Sequence, residues 1–123
     1  MKHLVLTPFE ETEEGKRYFL FRERKNDFWQ LATYALPDEA DFAKAAREAA
    51  RRLTGEPAEV LGPIGAFSFM NSLGVEHFVE EYACRLPGGG VTLHLPEGYV
   101  AFRRVDREEG LDLLVQGEYI EAF

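Results

Sequence analysis

Phe28-Trp29-Gln30, a short loop, and then Glu39-Ala40-Asp41-Phe42-Ala43-Lys44-Ala45-Ala46-Arg47-Glu48-Ala49-Ala50-Arg51-Arg52-Leu53-Thr54-Gly55 is the stretch on which the fold of this chain turns. Asp41 is of the type that caps a helix start, its carboxylate accepting a free backbone N–H. Thr54-Gly55 is a stop, because glycine enters the left-handed conformation that ends many helices. Between these signals Phe42, Ala46, Ala49 and Leu53 recur at helical spacing. They predict a helix with one apolar face, and the small alanines imply a close approach to a sheet.

Outward from that helix the pattern changes to strands. Leu4 to Thr7, Tyr18 to Arg24 and Phe28 to Thr33 precede it, the first two joined across Glu10-Glu11-Thr12-Glu13-Glu14-Gly15. Consecutive glutamates on a flexible loop lack the fixed geometry of a cation site, so this segment reads as a solvated hairpin loop. After the helix come Ile64 to Met70, His77 to Leu86, Val91 to Leu95 and Val100 to Val105, with Gly88-Gly89-Gly90 as a turn. Asp106 followed by Glu109 is a capping-box pattern opening a short helix through Leu111, Leu113 and Leu114, and Tyr119 to Phe123 adds a last turn. A strand-rich chain with one long helix and one short one is α+β, a mixed sheet covered by helices.

Composition narrows the function. The chain has 123 residues, 46% of them hydrophobic, and 14 Lys and Arg against 22 Asp and Glu give a formal charge of −8. That is the length of one domain, 1–123, with the make-up of a globular protein. An acidic body argues against long nucleic acids and anionic membranes as partners, since both need clustered Lys and Arg. The lone Cys84 precludes an internal disulfide, and no apolar run approaches a membrane span, which together predict a cytoplasmic protein. The charge is unevenly placed. Residues 43 to 53 hold Lys44, Arg47, Arg51 and Arg52 against Glu48, a local +3 that leaves −11 for the rest.

The helix and its flanks resemble the box of the Nudix hydrolases, Gly-x5-Glu-x7-Arg-Glu-u-x-Glu-Glu-x-Gly-u, where u is aliphatic. With Arg47-Glu48 set on the box Arg-Glu, Glu39 falls eight residues earlier on the first box Glu. Phe28-Trp29-Gln30 is similar to the aromatic-Trp-Gln strand of the subfamily that cleaves dATP and dihydroneopterin triphosphate. Leu93 to Val105 resembles a later strand of that subfamily, with Glu97 matching a loop carboxylate and Gly98 standing where the relatives have His. The resemblance, from about Phe19 to Leu114, implies an α/β/α sandwich with the box helix and the C-terminal helix on opposite sides of a mixed sheet. It implies a small nucleotide-like ligand, water attacking phosphorus with the help of magnesium or manganese, and dimers, which are common in the family. Glu39, Glu48 and Glu97 would be the catalytic carboxylates, Glu48 a metal ligand, and Arg51, Arg52 and Trp29 the substrate contacts.

The departures leave two functions open. The box glycine falls on Thr33 by strict spacing, or on Tyr34, and the closing glycine comes one place late at Gly55. The two later box glutamates are Arg51 and Arg52. Positions 48, 51 and 52 lie within one arc of roughly 100° on a helix, so three carboxylates would converge there on a cation. One carboxylate and two guanidinium groups repel a divalent ion instead. The chain is then either a divergent hydrolase of nucleoside di- or triphosphates with weak or lost metal-dependent activity, or a non-catalytic module that binds a nucleotide or a protein. In the second case Arg51 and Arg52 take the place of the metal, since a guanidinium fork matches phosphate oxygens directly.

Plainer roles exist for the same residues. Glu48 pairs with Lys44, Arg51 or Arg52, and Arg47 with Glu39. Arg51 and Arg52 pair with Glu80, Glu81 or Glu97, and Phe28 and Trp29 are core. His3, His77 and His94 lack metal-ligand spacing and are ordinary sheet residues, and Cys84 is an inert buried thiol.

Overall fold

Alternation along one strand sets the two layers. In the computed structural model, which describes residues 1–24, 28–87 and 93–114, β1 (Lys2–Thr12) is the strand around which the sheet is built. Successive side chains of a strand point to opposite faces. Leu4 and Leu6 therefore join Phe19 and Phe21 on one face, and Val5 joins Leu20 and Val79 on the other. The helix α1 (Phe42–Thr54) covers the first face through Ala46, Ala49, Ala50 and Leu53. The second face is covered by Leu111 and Leu113 of α2 (Arg107–Leu113), with Leu114 just beyond it.

The remaining strands are β2 (Gly15–Glu23), β3 (Ala32–Leu36), β4 (Glu59–Met70), β5 (Glu76–Arg85) and β6 (Tyr99–Val105). They form a six-stranded sheet in the order β4-β5-β1-β2-β6, with β3 paired to β1. The β1–β5 pair is parallel and the other pairs are antiparallel, so the sheet is mixed as expected. The helices lie on opposite faces, which is the α/β/α sandwich.

Three local expectations are corrected. The third strand is Ala32–Leu36 rather than Phe28 to Thr33, because its register is set by pairing with Lys2 to Leu6 of β1; Trp29 and Gln30 make isolated bridges. Of the expected strand Val91 to Leu95, Leu93 to Leu95 is irregular, and the His94 N–H donates to the Leu53 carbonyl at 2.7 Å instead of joining a ladder. The glutamates of the first loop are not all solvated. Glu13 and Glu14 form the turn, whereas Glu10 is in β1 and buried, its Oε1 accepting from Arg104 Nε at 2.8 Å. Val91, Thr92, the turn at Gly88-Gly89-Gly90 and the last turn at Tyr119 to Phe123 lie outside the described residues. No described helix is long and apolar enough to cross a membrane.

Candidate functional site

The box helix is held at both ends by the residues its sequence offers. Asp41 Oδ1 accepts from the Lys44 N–H at 3.2 Å, and Gly55, at φ 77°, sends its N–H back to the Arg51 carbonyl at 2.8 Å. This stop leaves Arg51 and Arg52 in the last turn, where cations also suit the negative end of the helix dipole.

A cleft of about 480 Å³ opens beside that turn. Arg52, Ala49 and Leu53 line it from α1, Thr33, Tyr34 and Ala35 from β3, and His94 and Glu97 from the loop ahead of β6. The β3 wall is tied to β6 through one phenol. Tyr99 Oη accepts from the Thr33 N–H at 2.9 Å and from Gln30 Nε2 at 3.1 Å. Thr33, where the box glycine would fall by strict spacing, is thus ordinary strand; among the described residues every positive-φ position is a glycine. Burial, with Tyr99 and Cys84 nearby, raises the pKa of Tyr34 well above the usual tyrosine value, and Arg52 pulls it the other way. The phenol at the cleft is accordingly a hydrogen-bond donor across the physiological range.

The sequence-predicted site residues do not all gather here. Arg52 and Glu97 share the cleft, while Glu48 and Arg51 line a shallower hollow with Arg52 and Gly55 on the outer side of the same helix. Glu39 is exposed in the turn before α1. Trp29 packs with the cluster under α2, with Arg22 over its ring at 5.8 Å, on the face of the sheet away from α1. The expected Arg47–Glu39 pair is not formed, and neither Arg51 nor Arg52 makes an ion pair with any described residue. Glu80 instead accepts from the Tyr82 hydroxyl at 2.7 Å. Burial pushes the Cys84 thiol up to about 12, which removes it as a nucleophile.

His94 is the cleft residue that pattern reading missed. It was expected in a strand, and its place at the cleft comes from the backbone bond to Leu53, a contact between residues distant in sequence. The other histidines do more than fill the sheet. His3 Nε2 and His77 Nδ1 are 2.8 Å apart, and the His77 ring stacks on Phe69 with centroids 4.8 Å apart.

The residues present do not suit a divalent cation. Among the described residues no three His, Cys, Asp or Glu side chains converge, and the helix positions beside Glu48 carry guanidinium groups. Hard cations need several oxygen ligands, preferably anionic.

Solved structures place this architecture. Over 99% of this chain and 88% of its own length, a Listeria monocytogenes protein described as a Nudix hydrolase superposes with a TM-score of 0.82 at 16% identity. The Escherichia coli dihydroneopterin triphosphate pyrophosphohydrolase does so with a TM-score of 0.78 and 13% identity, over 98% of this chain and 90% of that one. The Nudix domain of Shewanella oneidensis NrtR, solved with ADP ribose, gives 0.72 and 8%, over 99% and 84%. No protein-family model matches the chain, and no curated protein resembles it in sequence. The chain has the Nudix fold.

Proposed function

We propose that this Nudix-fold chain binds a nucleotide-like phosphate ligand at the last turn of α1, with Arg52 and Arg51 contacting the phosphates where relatives of the family would hold a metal. Hydrolysis is weak or lost. The observation that carries this reading is that Arg52 lines the cleft, and that both arginines are free of ion pairs with described residues.

Each guanidinium offers parallel N–H donors that match two phosphate oxygens. The cleft volume lies in the range of small-ligand sites, and Tyr34 adds a neutral donor at its wall. Hydrolysis would need a water activated and aimed at phosphorus. Glu97 alone reaches the cleft among the proposed carboxylates, whereas Glu48 faces the outer hollow and Glu39 is exposed, so the acid–base machinery is dispersed. A ligand that contains a diphosphate fits this reading, as ADP ribose does in the NrtR structure.

Thermal unfolding with nucleoside di- and triphosphates, each with magnesium and with chelator, tests the proposal. A ligand at a hundredfold excess over its Kd should raise Tm by about 10 °C. The rise should be equal in chelator and should vanish in Arg51→Glu/Arg52→Glu. Stabilisation seen with magnesium alone, or undiminished stabilisation of the double variant in chelator, would overturn the arginine reading.

A further inference from the structure

At the first turn of α1, the opposite end of the helix from the two arginines, a second cleft of about 500 Å³ opens. Strand register places its walls. Across the β1–β5 ladder Lys2 pairs with Phe78 and Leu4 with Glu80, and Ser68 and Ala66 of β4 stand opposite Phe78 and Glu80. These positions alternate in step with Leu4 and Tyr82, which lie in the core under α1. Lys2, Phe78, Glu80, Ala66 and Ser68 therefore all face the helix side, where Phe42 adds a further wall.

The cleft holds two opposite charges that do not meet. Lys2 Nζ donates to the Ala40 carbonyl at 2.8 Å and lies over the Phe42 ring, 5.3 Å from its centroid. Glu80 Oε1 accepts from the Tyr82 hydroxyl at 2.7 Å. The two residues are on neighbouring strands, two positions out of step, with about 8 Å between their backbones. No ion pair joins them. Each is half-buried and keeps hydrogen-bonding capacity, since an ammonium has three donors and a carboxylate about four acceptor sites, and among the described residues one of each is used. The rest of the lining is largely apolar, with the Phe78 ring 45% exposed. Asp41 and Arg47, the further charges that act on Tyr82, are of opposite sign, so the charge around the cleft balances.

We infer that this cleft binds a free α-amino acid with an apolar side chain, held as its zwitterion: Lys2 takes the carboxylate, Glu80 the ammonium, and Phe42 and Phe78 the side chain. Charge selects the ligand. A simple anion meets Glu80 and a simple cation meets Lys2, whereas a head group with both charges on one carbon gives each residue an oppositely charged partner. The third substituent of that carbon then lies on the rings, where burial of apolar area adds affinity. A nucleotide does not fit, because its phosphates would face Glu80 with Lys2 as the one cation among the described lining residues. The inference is independent of the phosphate ligand proposed for the last turn of α1, about 15 Å away along the helix.

Two-dimensional NMR of the wild-type chain tests it, with L-phenylalanine, 3-phenylpropionate and phenethylamine as probes carrying both charges, the carboxylate alone and the ammonium alone. L-phenylalanine should shift the amides of Lys2, Phe78 and Glu80 saturably, with a Kd of about 1 mM for so small a ligand. Each of the other two should bind at least about tenfold more weakly, for want of one set of charge-assisted hydrogen bonds. Lys2→Met, which keeps an unbranched chain over Phe42, should erase the advantage of L-phenylalanine over phenethylamine. Glu80→Gln, which still accepts from Tyr82, should erase its advantage over 3-phenylpropionate. The spectrum of each variant also reports its fold, and the wild-type probe series decides without them. No saturable shift up to about 10 mM L-phenylalanine, equal binding of the three probes, or undiminished L-phenylalanine binding in both variants overturns the inference.

Discussion

Arg104 Nε donates to Glu10 Oε1 at 2.8 Å, and the other Glu10 oxygen is buried without a hydrogen-bond partner among the described residues. One half-exposed guanidinium therefore compensates a buried carboxylate, and the same group lies over the Phe19 ring, with the centroid 5.3 Å from the guanidinium carbon. Arg104→Met should lower the unfolding free energy by about 1–3 kcal/mol, less than for a fully buried pair because Arg104 is open to solvent. Adding Glu10→Leu should return most of that loss, since it removes the stranded charge. Urea unfolding of the two variants decides it: a double variant as weak as the single one would show that the pair is not the source of the loss.

How much of this was legible in the sequence depends on the range of the cause. The ends of α1 were readable because Asp41 and Gly55 act on backbone groups three and four residues away. Its buried face followed from spacing, with Ala50 added by the width of the contact. The start of β3 was not readable, since it depends on the pairing of Ala32 with Leu6 of β1, far back in the chain. Glu10 was read with its neighbours as solvated because four carboxylates cluster in sequence, whereas a strand sends alternate ones to opposite faces. At the site, the approach of Glu97 and Arg52 to one cleft needed the fold resemblance, and the lining by His94 needed the bond to Leu53.

The contact of His3 Nε2 with His77 Nδ1 predicts an acid-sensitive edge. One ring must supply the proton and the other the lone pair, so two protonated rings cannot share it. Burial first, then His77 and the chain N-terminus, lowers the pKa of His3 below its usual 6.5. Below about pH 6.5 the unfolded chain therefore takes up the proton more readily than the folded one, and stability falls as the pH drops through that window. Above it the contribution is fully present. Tm measured from about pH 7.5 to 5.5 should decline, and His3→Gln should flatten the decline. Parallel curves for wild type and variant would rule out this pair as the origin.

Gly65 is required by the Glu81 carboxylate, which occupies the place a β-carbon at position 65 would take. Glu81 is itself buried and engaged, so it does not swing freely aside. Gly65→Ala should cost about 1–3 kcal/mol through overpacking. The informative measurement is a double-mutant cycle with Glu81→Ala. If the clash is the cause, Gly65→Ala should cost far less in the Glu81→Ala background, a coupling of about 1 kcal/mol or more. Strictly additive losses would place the cost of Gly65→Ala in the backbone.

Glu97 separates the two functional readings most sharply, because it shares the cleft with Arg52 and carries the opposite charge. If arginine has taken over phosphate binding, Glu97 repels the incoming anion, and Glu97→Gln should tighten a nucleoside diphosphate in chelator. At partly solvated separations such a charge is worth about 0.5–1 kcal/mol, or two- to fivefold in Kd, shrinking as salt is raised. If Glu97 serves a metal-assisted hydrolase, the same change should weaken ligand binding in magnesium and reduce any turnover. Titration calorimetry of wild type and Glu97→Gln, with and without magnesium, reads both directions. Tighter binding in chelator supports arginine as the phosphate anchor, and weaker binding confined to magnesium assigns Glu97 to a metal.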